Sequence, residues 1–260
     1  MAKDKQVPES QDTATTTQGM PIMVHLREMR DRLIKSVIAL VVTTGVSFYF
    51  AEDIVEILRK PAGNINLIAI ELVENISVFF KVSLAGGVVL AMPILVYQLF
   101  AFVTPALTRK EKRYVFTALP FIVVMFLAGL AFGYFVALPP ALSFLTDFFT
   151  AQAETQIRIS NYLTVVTRLL LGLGLVFEAP VLIMFLARIG VVSPQWLANK
   201  RKIWIVLAFV IAAFVTPTPD PINQSIVAIP LIVLLELSIF LSRFAYKKRM
   251  HPKEKEASAS

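Results

Sequence analysis

Long runs of apolar residues with few charges, separated by short polar segments, dominate this chain. Backbone groups without hydrogen-bond partners are too costly in lipid, so each run is expected to form a helix. No run alternates apolar and polar residues with period two, which excludes a transmembrane β-barrel. The pattern predicts an all-α integral membrane protein with six transmembrane helices. The six runs are Leu33–Phe50, Val78–Pro105, Tyr114–Leu138, Tyr162–Ala187, Ile203–Thr216 and Ile222–Leu241.

The fifth and sixth runs are shorter than the others. At about 1.5 Å per residue the fifth run reaches only about 21 Å, against a hydrocarbon core of about 30 Å. The first turn of the sixth run contains the polar residues 223–225, which shortens its apolar part. The proline-rich link 216–221 between the two runs is rigid. Two arrangements fit this pattern, either two short true spans or a re-entrant hairpin, and we favour short true spans.

Basic residues lie at one side of the predicted bundle. They occur before the first run, between the second and third runs, between the fourth and fifth runs, and after the sixth run. With Lys3 and Lys5, these segments hold 20 of the 25 Lys and Arg residues, whereas the opposite loops hold only Arg59, Lys60 and Arg158. Because cytoplasmic loops are enriched in Lys and Arg, both termini are predicted to be cytoplasmic.

The polar tails and the composition limit the domain organisation and the kinds of binding site that this chain can have. Residues 1–20 and 247–260 are polar and are expected to be disordered cytoplasmic tails around one transmembrane domain, residues 21–246. The first apolar run begins only at Leu33, so no signal peptide is expected at the N-terminus. The net charge of +7 matches the cytoplasmic basic loops, and no nucleic-acid-binding motif accompanies it. With no cysteine and only two histidines, a metal site or other cofactor is not expected.

Two acidic residues fall within the apolar runs and are candidates for function, because an ionised carboxylate facing lipid is costly. Glu178 lies in the fourth run, about 15 Å from the basic residues that mark the inner surface. Pro180 follows it and is expected to free a backbone carbonyl and kink the helix. Glu236 lies in the sixth run, nearer the cytoplasm, where pairing with a cation such as Arg243 is the alternative to a functional role.

A few acids also stand in the basic cytoplasmic face. Glu28 and Asp31 precede the first run, and Glu111 lies between the second and third runs. One interpretation is local salt bridging to neighbouring Arg and Lys residues, each pair contributing little. The other is that the carboxylates bind a cationic ligand, since a carboxylate can hold a guanidinium through two hydrogen bonds. From the residues alone the salt-bridge interpretation is favoured.

Sequence motifs of the common enzyme classes are absent, including HExxH, a Walker A loop and GxSxG, so an enzyme is not expected. A proton-coupled small-solute transporter with Glu178 as its proton site remains the alternative function. It would predict matched broken helices in two halves of the chain, and the short fifth and sixth runs have no counterpart in runs one to three.

Several motifs in order along residues 22–246 resemble the TatC family, the polytopic receptor subunit of the twin-arginine protein translocase. Each motif is weak alone, and together they are specific. They are His25–Arg32 (HLREMRDR), Pro61, Phe102–Arg113 (FVTPALTRKEKR), Phe177–Pro180 (FEAP), Thr216–Asp220 (TPTPD), Ala228–Pro230 (AIP), Glu236 and Ser242–Phe244 (SRF).

The resemblance implies a concave bundle of six helices that binds the twin-arginine signal peptides of folded cargo proteins on the cytoplasmic face. It implies that Glu28 and Glu111 bind the paired arginines, that Phe102 lies beside them, and that Arg27 and Arg30 belong to the same signal-binding segment.

The resemblance also implies partners and a location. Glu178 and Glu236 would form an intramembrane polar site that faces single-span partner subunits of the TatA or TatB type, and assembly would be driven by the proton-motive force. Pro61 and Asp220 would act on the outer side. Self-association in the lipid bilayer is expected too. The absence of a transit peptide favours a bacterial inner membrane.

Overall fold

The computed structural model of the chain describes residues 22–63, 67–71, 73–103, 109–150, 157–216 and 220–257. Side chains are described for residues 26–63, 67–71, 73–102, 116–117, 119–144, 157–188, 190–216 and 220–243. The predicted N-terminal tail, residues 1–20, lies outside these ranges. The division of the chain into tails and one transmembrane domain stays a prediction.

Ten α-helices make up most of the described backbone. A 3₁₀ turn at Lys60–Ala62 follows the second helix, and a π-helical turn at Gly133–Ala137 joins the fourth helix to the fifth. Two short strands, β1 (Leu67–Ile68) and β2 (Ile157–Arg158), pair in parallel. The helices are α1 Ile22–Tyr49, α2 Ala51–Arg59, α3 Glu74–Val103, α4 Arg109–Phe132, α5 Leu138–Thr150, α6 Ile159–Phe177, α7 Ala179–Ile189, α8 Pro194–Asn199, α9 Arg201–Val215 and α10 Pro221–Ala257.

Five segments of the described chain are helical, long and apolar enough to cross a membrane, which confirms a mostly helical membrane protein. They coincide with five of the six predicted runs. The fifth run forms α9, whose 15 residues reach about 22 Å and fall short of a hydrocarbon core of about 30 Å. Six spans and cytoplasmic termini stay predictions. The five segments are Leu26–Tyr49, Glu74–Phe102, Leu119–Phe144, Ile159–Arg188 and Pro221–Arg243.

The last helix extends beyond the predicted transmembrane domain. Its apolar part ends near Arg243, and the helical backbone continues to Ala257 without interruption. The helix therefore includes residues 247–257, for which the composition predicts disorder. Pro252 does not end it.

α1 packs along α3 in an antiparallel arrangement. The Thr43 hydroxyl donates to the carbonyl oxygen of Gly87 at 2.9 Å, and the Phe48 and Phe80 rings are 5.6 Å apart. A Cβ atom at Gly87 would lie 2.7 Å from the Cα of Thr44, so only glycine allows this approach. Most of the remaining α1 surface is apolar and exposed, and it is free to face lipid or another protein.

α4 crosses α6 at an equally close contact. A Cβ atom at Gly129 would lie 2.8 Å from both the Cα of Gly174 and the carbonyl oxygen of Leu173. A Cβ atom at Gly174 would in turn lie 2.7 Å from the Phe126 ring of α4. Since lipid provides little hydrophobic drive for helix association, such small-residue contacts are the usual way for membrane helices to pack.

A polar cluster holds together the two segments that precede α3 and α6. The buried Glu74 carboxylate accepts hydrogen bonds from the backbone N–H groups of Ile70, at 2.8 Å, and Ser160, at 3.1 Å. Arg158 donates to Glu71 at 2.7 Å and lies 3.6 Å from Glu74. The hydrogen bond to Glu71 raises the pKa of Arg158, although partial desolvation opposes it. The guanidinium therefore joins both segments as a permanent cation.

Replacing Gly129 with alanine tests the α4–α6 contact. The added methyl group would meet the backbone of α6, so we expect a loss of about 1–3 kcal/mol in the free energy of unfolding. Gly45→Ala is the matched control, because a Cβ atom there meets no atom within 4 Å. Thermal unfolding of both variants in the same detergent measures the difference. Equal melting temperatures would contradict the close packing.

Candidate functional site

The antiparallel register of α1 and α3 places Glu28 level with Phe102. Thr43 and Gly87 are in contact, and Glu28 and Phe102 each lie 15 residues further toward the same end of the bundle. Both separations correspond to about 22 Å of helix. Two residues of the predicted signal-binding set therefore share one level of the molecule.

The hairpin of α3 and α4 brings Glu111 to that level as well. The Tyr97 and Phe116 rings are 5.6 Å apart, and from this contact Phe102 and Glu111 lie equally far toward the loop. Glu111 belongs to the first turn of α4, and its side chain lies outside the described residues. The backbone thus places the three positions that the resemblance assigns to one site at one level of the bundle, and their common role stays a prediction.

Glu28 already has a cationic partner one helical turn away. Arg32 donates to Glu28 Oε1 from Nε at 3.1 Å and from Nη2 at 2.5 Å, and both side chains are about three-quarters buried. Both hydrogen bonds go to the same oxygen, so Oε2 is not used by this pair. Arg30 pairs with the exposed Asp31 at 2.9 Å, and Arg27 is exposed. The local salt bridges expected from the sequence are therefore present at Glu28 and Asp31.

Glu178 lies at a break between α6 and α7. It is the C-cap of α6 and the N-cap of α7, and its backbone carbonyl accepts hydrogen bonds from the N–H groups of Val181 and Leu182 at 3.1 and 3.0 Å. Pro180, in the first turn of α7, has no N–H to continue the α6 ladder. The interruption predicted from the Glu-Ala-Pro sequence is present.

The side chain of Glu178 is buried among apolar groups. It is 2% exposed, and neither carboxylate oxygen accepts a hydrogen bond within the described part of the chain. The Phe177 ring next to it packs 5.4 Å from Phe132. On α3, the buried Oε1 of Gln98 likewise lacks a donor among the described residues. A buried polar group without a hydrogen-bond partner is rare and costly. The described residues leave the Glu178 carboxylate in this state.

Glu236 is not buried. It is about half-exposed and accepts a hydrogen bond from Arg201 Nη2 at 2.8 Å. The sequence suggested pairing with a cation such as Arg243, and the cation that pairs with Glu236 is Arg201, the first residue of α9. This ion pair ties α9 to α10 at one end, while Gln224 Nε2 donates to the Phe209 carbonyl at 2.8 Å further along the same pair.

Asp220 caps the N-terminus of α10. Its Oδ2 accepts from the backbone N–H of Asn223 at 2.8 Å, and its Oδ1 accepts from the Asn223 side-chain amide at 3.0 Å. Pro61 lies in the 3₁₀ turn after α2, at the same end of the bundle as Tyr162, whose hydroxyl donates to the Leu58 carbonyl at 2.8 Å. Both predicted outer-side residues therefore occupy turns that fix the ends of helices.

An apolar cavity of about 600 Å³ lies between α1, α2, α3, the π-helical turn and α6. Its wall includes Ser47, whose buried hydroxyl has no hydrogen-bond partner in the described chain, and Tyr134, which donates to the Ile57 carbonyl at 2.8 Å. The sequence carries no signal for this cavity, because most of its lining consists of ordinary apolar residues from separate helices. The Arg158–Glu74 cluster gives no signal in the sequence either, because its charged residues come from two distant segments of the chain.

Comparison with known proteins points to one family. Residues 24–230 match the family described as Sec-independent protein translocase protein (TatC). The chain is 39% identical over 236 residues to the Sec-independent protein translocase protein TatC of Aquifex aeolicus, covering 88% of this chain and 98% of that protein. It is 37% identical to TatCd of Bacillus subtilis, covering 91% and 96% of the two chains.

Solved structures agree with this result. The chain matches a crystal structure described as the twin arginine translocase receptor TatC with a TM-score of 0.74 at 39% identity, covering 85% of this chain and 99% of the other. A second crystal structure of that receptor, in the detergent DDM, matches with a TM-score of 0.76 at the same identity, covering 84% and 99%.

Replacing Glu178 with leucine tests whether its carboxylate lacks a partner. Removing a buried unsatisfied polar group is expected to raise the free energy of unfolding by about 1–3 kcal/mol, provided that the leucine fits. Thermal unfolding of the purified chain measures this, and Glu178→Gln, which keeps the volume and a polar end, should fall between the two. A lower melting temperature for Glu178→Leu would instead reveal a stabilising partner.

Asp220→Ala removes both hydrogen bonds to Asn223. The loss of a helix cap of this kind is expected to lower the free energy of unfolding by about 0.5–2 kcal/mol. Asp220→Asn retains an oxygen at the capping position and should lose less. Melting temperatures measured side by side provide the comparison, and equal effects of the two substitutions would contradict the capping role.

Proposed function

The chain belongs to the TatC family of Sec-independent protein translocase proteins, and from this we propose that it is the receptor subunit of a twin-arginine translocase. In this role it binds the twin-arginine signal peptides of folded proteins on the cytoplasmic side of a bacterial inner membrane. It then assembles with single-span partner subunits for export driven by the proton-motive force. Six spans with both termini in the cytoplasm belong to the same proposal.

The observation that carries the proposal is the common level of Glu28, Phe102 and Glu111 at one end of the bundle. Two carboxylates from different helices can each take one guanidinium of an Arg-Arg pair, and an aromatic ring next to them offers a face for cation–π contact. Arginine fits such a site better than lysine, because its planar guanidinium can donate two parallel hydrogen bonds to one carboxylate.

The Glu28–Arg32 pair supports a competitive form of binding. Arg32 holds Oε1 of Glu28, so an incoming guanidinium can use Oε2, which this pair leaves open, or displace Arg32. An ion pair between residues one turn apart contributes only about 0.3–0.5 kcal/mol, which a bidentate contact from a ligand exceeds. In this proposal, Arg32 keeps the carboxylate oriented when no signal is bound.

Glu178 supports the proposal of an intramembrane partner site. Its carboxylate is buried, it has no hydrogen-bond donor among the described residues, and it lies at a helix break next to aromatic side chains. A single-span partner that carries a polar residue into this place would satisfy it. Such a partner also explains why an unfavourable group is retained in an otherwise apolar span. A solute-transport function, the alternative from the sequence, has no support in the comparisons.

Binding of a labelled signal peptide to the detergent-purified chain tests the receptor function. A peptide with Arg-Arg should bind more tightly than the same peptide with Lys-Lys. Glu28→Gln and Glu111→Gln should each weaken Arg-Arg binding about ten- to hundredfold, since a hydrogen bond to a charged group contributes about 1.5–3 kcal/mol. Arg32→Gln should tighten it about twofold by freeing Glu28.

Asp31→Asn is the matched control, because Asp31 lies on the same helix but is more exposed and pairs with Arg30. It should leave the preference for Arg-Arg unchanged. If the wild-type chain does not distinguish the two peptides, or if Asp31→Asn weakens binding as much as Glu28→Gln, the assigned carboxylates do not read the signal.

A further inference from the structure

The face where α3 meets α6 carries a groove that no part of the proposed receptor function uses. We call it the α3–α6 groove. Its volume is about 330 Å³, and its walls are two stripes of residues at helical spacing that face each other. The α3 stripe contains Lys81, Leu84 and Val88, and the α6 stripe contains Thr164, Arg168 and Leu171.

The upper part of the groove is cationic. Lys81 Nζ donates to the Ser160 hydroxyl at 2.9 Å and to the Thr164 hydroxyl at 3.1 Å, so one of its three N–H donors is left over. Arg168 follows Thr164 by one helical turn and has no hydrogen bond or ion pair to any residue that the structure describes. The two side chains thus present positive charge and unused donors at neighbouring positions.

No carboxylate neutralises these charges within the described chain. The acids at this end of α3, Glu71 and Glu74, are bound to Arg158 at 2.7 and 3.6 Å. The partners of Lys81 are neutral hydroxyls. An additional anion would therefore complete the site rather than compete with an existing ion pair.

The position along the helices indicates which anion fits. Lys81 lies about 10 Å along α3 from Glu74, and Arg168 lies about 13 Å along α6 from Ile159, so both are attached within the apolar spans. Long basic side chains in this position reach toward the headgroup level, and the Lys81 ammonium does so by contacting Ser160 in the first turn of α6. Below the two cations the groove continues as an apolar slot.

We propose that the α3–α6 groove binds one anionic phospholipid, whose phosphate lies between Lys81 and Arg168 and whose acyl chain follows Leu84, Val88 and Leu171. The phosphate supplies the missing negative charge and acceptors for the free N–H groups. The acyl chain accounts for the apolar slot, which a free phosphate ion would leave unexplained. This lipid is a bound ligand of the outer half of the bundle and is distinct from the cavity between α1 and α2.

Native mass spectrometry of the full chain, titrated with phosphatidylglycerol or phosphatidylcholine in detergent, tests the proposal. Lys81→Gln/Arg168→Gln should bind phosphatidylglycerol about ten- to thirty-fold more weakly than the wild-type chain, since each basic residue near a lipid surface strengthens binding about three- to fivefold. Arg59→Gln/Lys60→Gln is the matched control. It removes the same charge near the end of α2, away from the groove, and should bind as the wild-type chain does.

Three results would overturn the proposal: equal phosphatidylglycerol affinity in all three chains, equal affinity for the two lipids, or displacement of the lipid by inorganic phosphate at the same concentration. The last result would identify a simple anion site. If the double variant does not fold, the single variants Lys81→Gln and Arg168→Gln should each bind about three- to fivefold more weakly and provide the same comparison.

Discussion

Helices in a bilayer gain little by hiding apolar surface from one another, because the lipid chains are as apolar as the side chains. This bundle depends instead on close backbone contact. Gly87 lets α1 approach α3, and Gly129 meets Gly174 where α4 crosses α6. The α1–α3 contact sets the register that places Glu28 level with Phe102, and the ring contact between Tyr97 and Phe116 brings Glu111 to the same level. The arrangement of the candidate binding site therefore rests on residues that have no chemistry of their own.

Some charged side chains have hydrogen-bond or ion-pair partners within the described chain, and others do not. The two groups differ in the role that each side chain plays. Glu74, Asp220 and Glu236 all have partners within the chain and hold its segments together. Glu178 and Arg168 lack such partners among the described residues, although both lie in apolar spans. A stable isolated domain gains nothing from groups like these. Their retention is consistent with a protein whose working state includes a peptide, another subunit or lipid.

Much of the fold could be predicted because apolar run length and proline position are local signals. The runs located the helices, and Pro180 located the break at Glu178. The partner of Glu236 could not be predicted, since Arg201 approaches it only through the packing of α9 on α10. Strands of two residues, such as β1 and β2, are too short to leave a periodic pattern. The pairing of Glu28 with Arg32 could be predicted from the sequence, because residues four apart on a helix are neighbours.

The π-helical turn at Gly133–Ala137 introduces one extra residue into an otherwise regular helix. Each residue rotates a helix by about 100°, so α5 presents a different set of side chains from the set that an unbroken α4 would present. The side chains of α4 and α5 are therefore rotated relative to each other about the helix axis. Within the turn itself, Tyr134 points toward the Ile57 carbonyl. Deleting one residue here would restore a regular helix and preserve its hydrogen bonds. It would also turn every following side chain of α5 to a new face, so relatives with and without this insertion would not share a common outer surface.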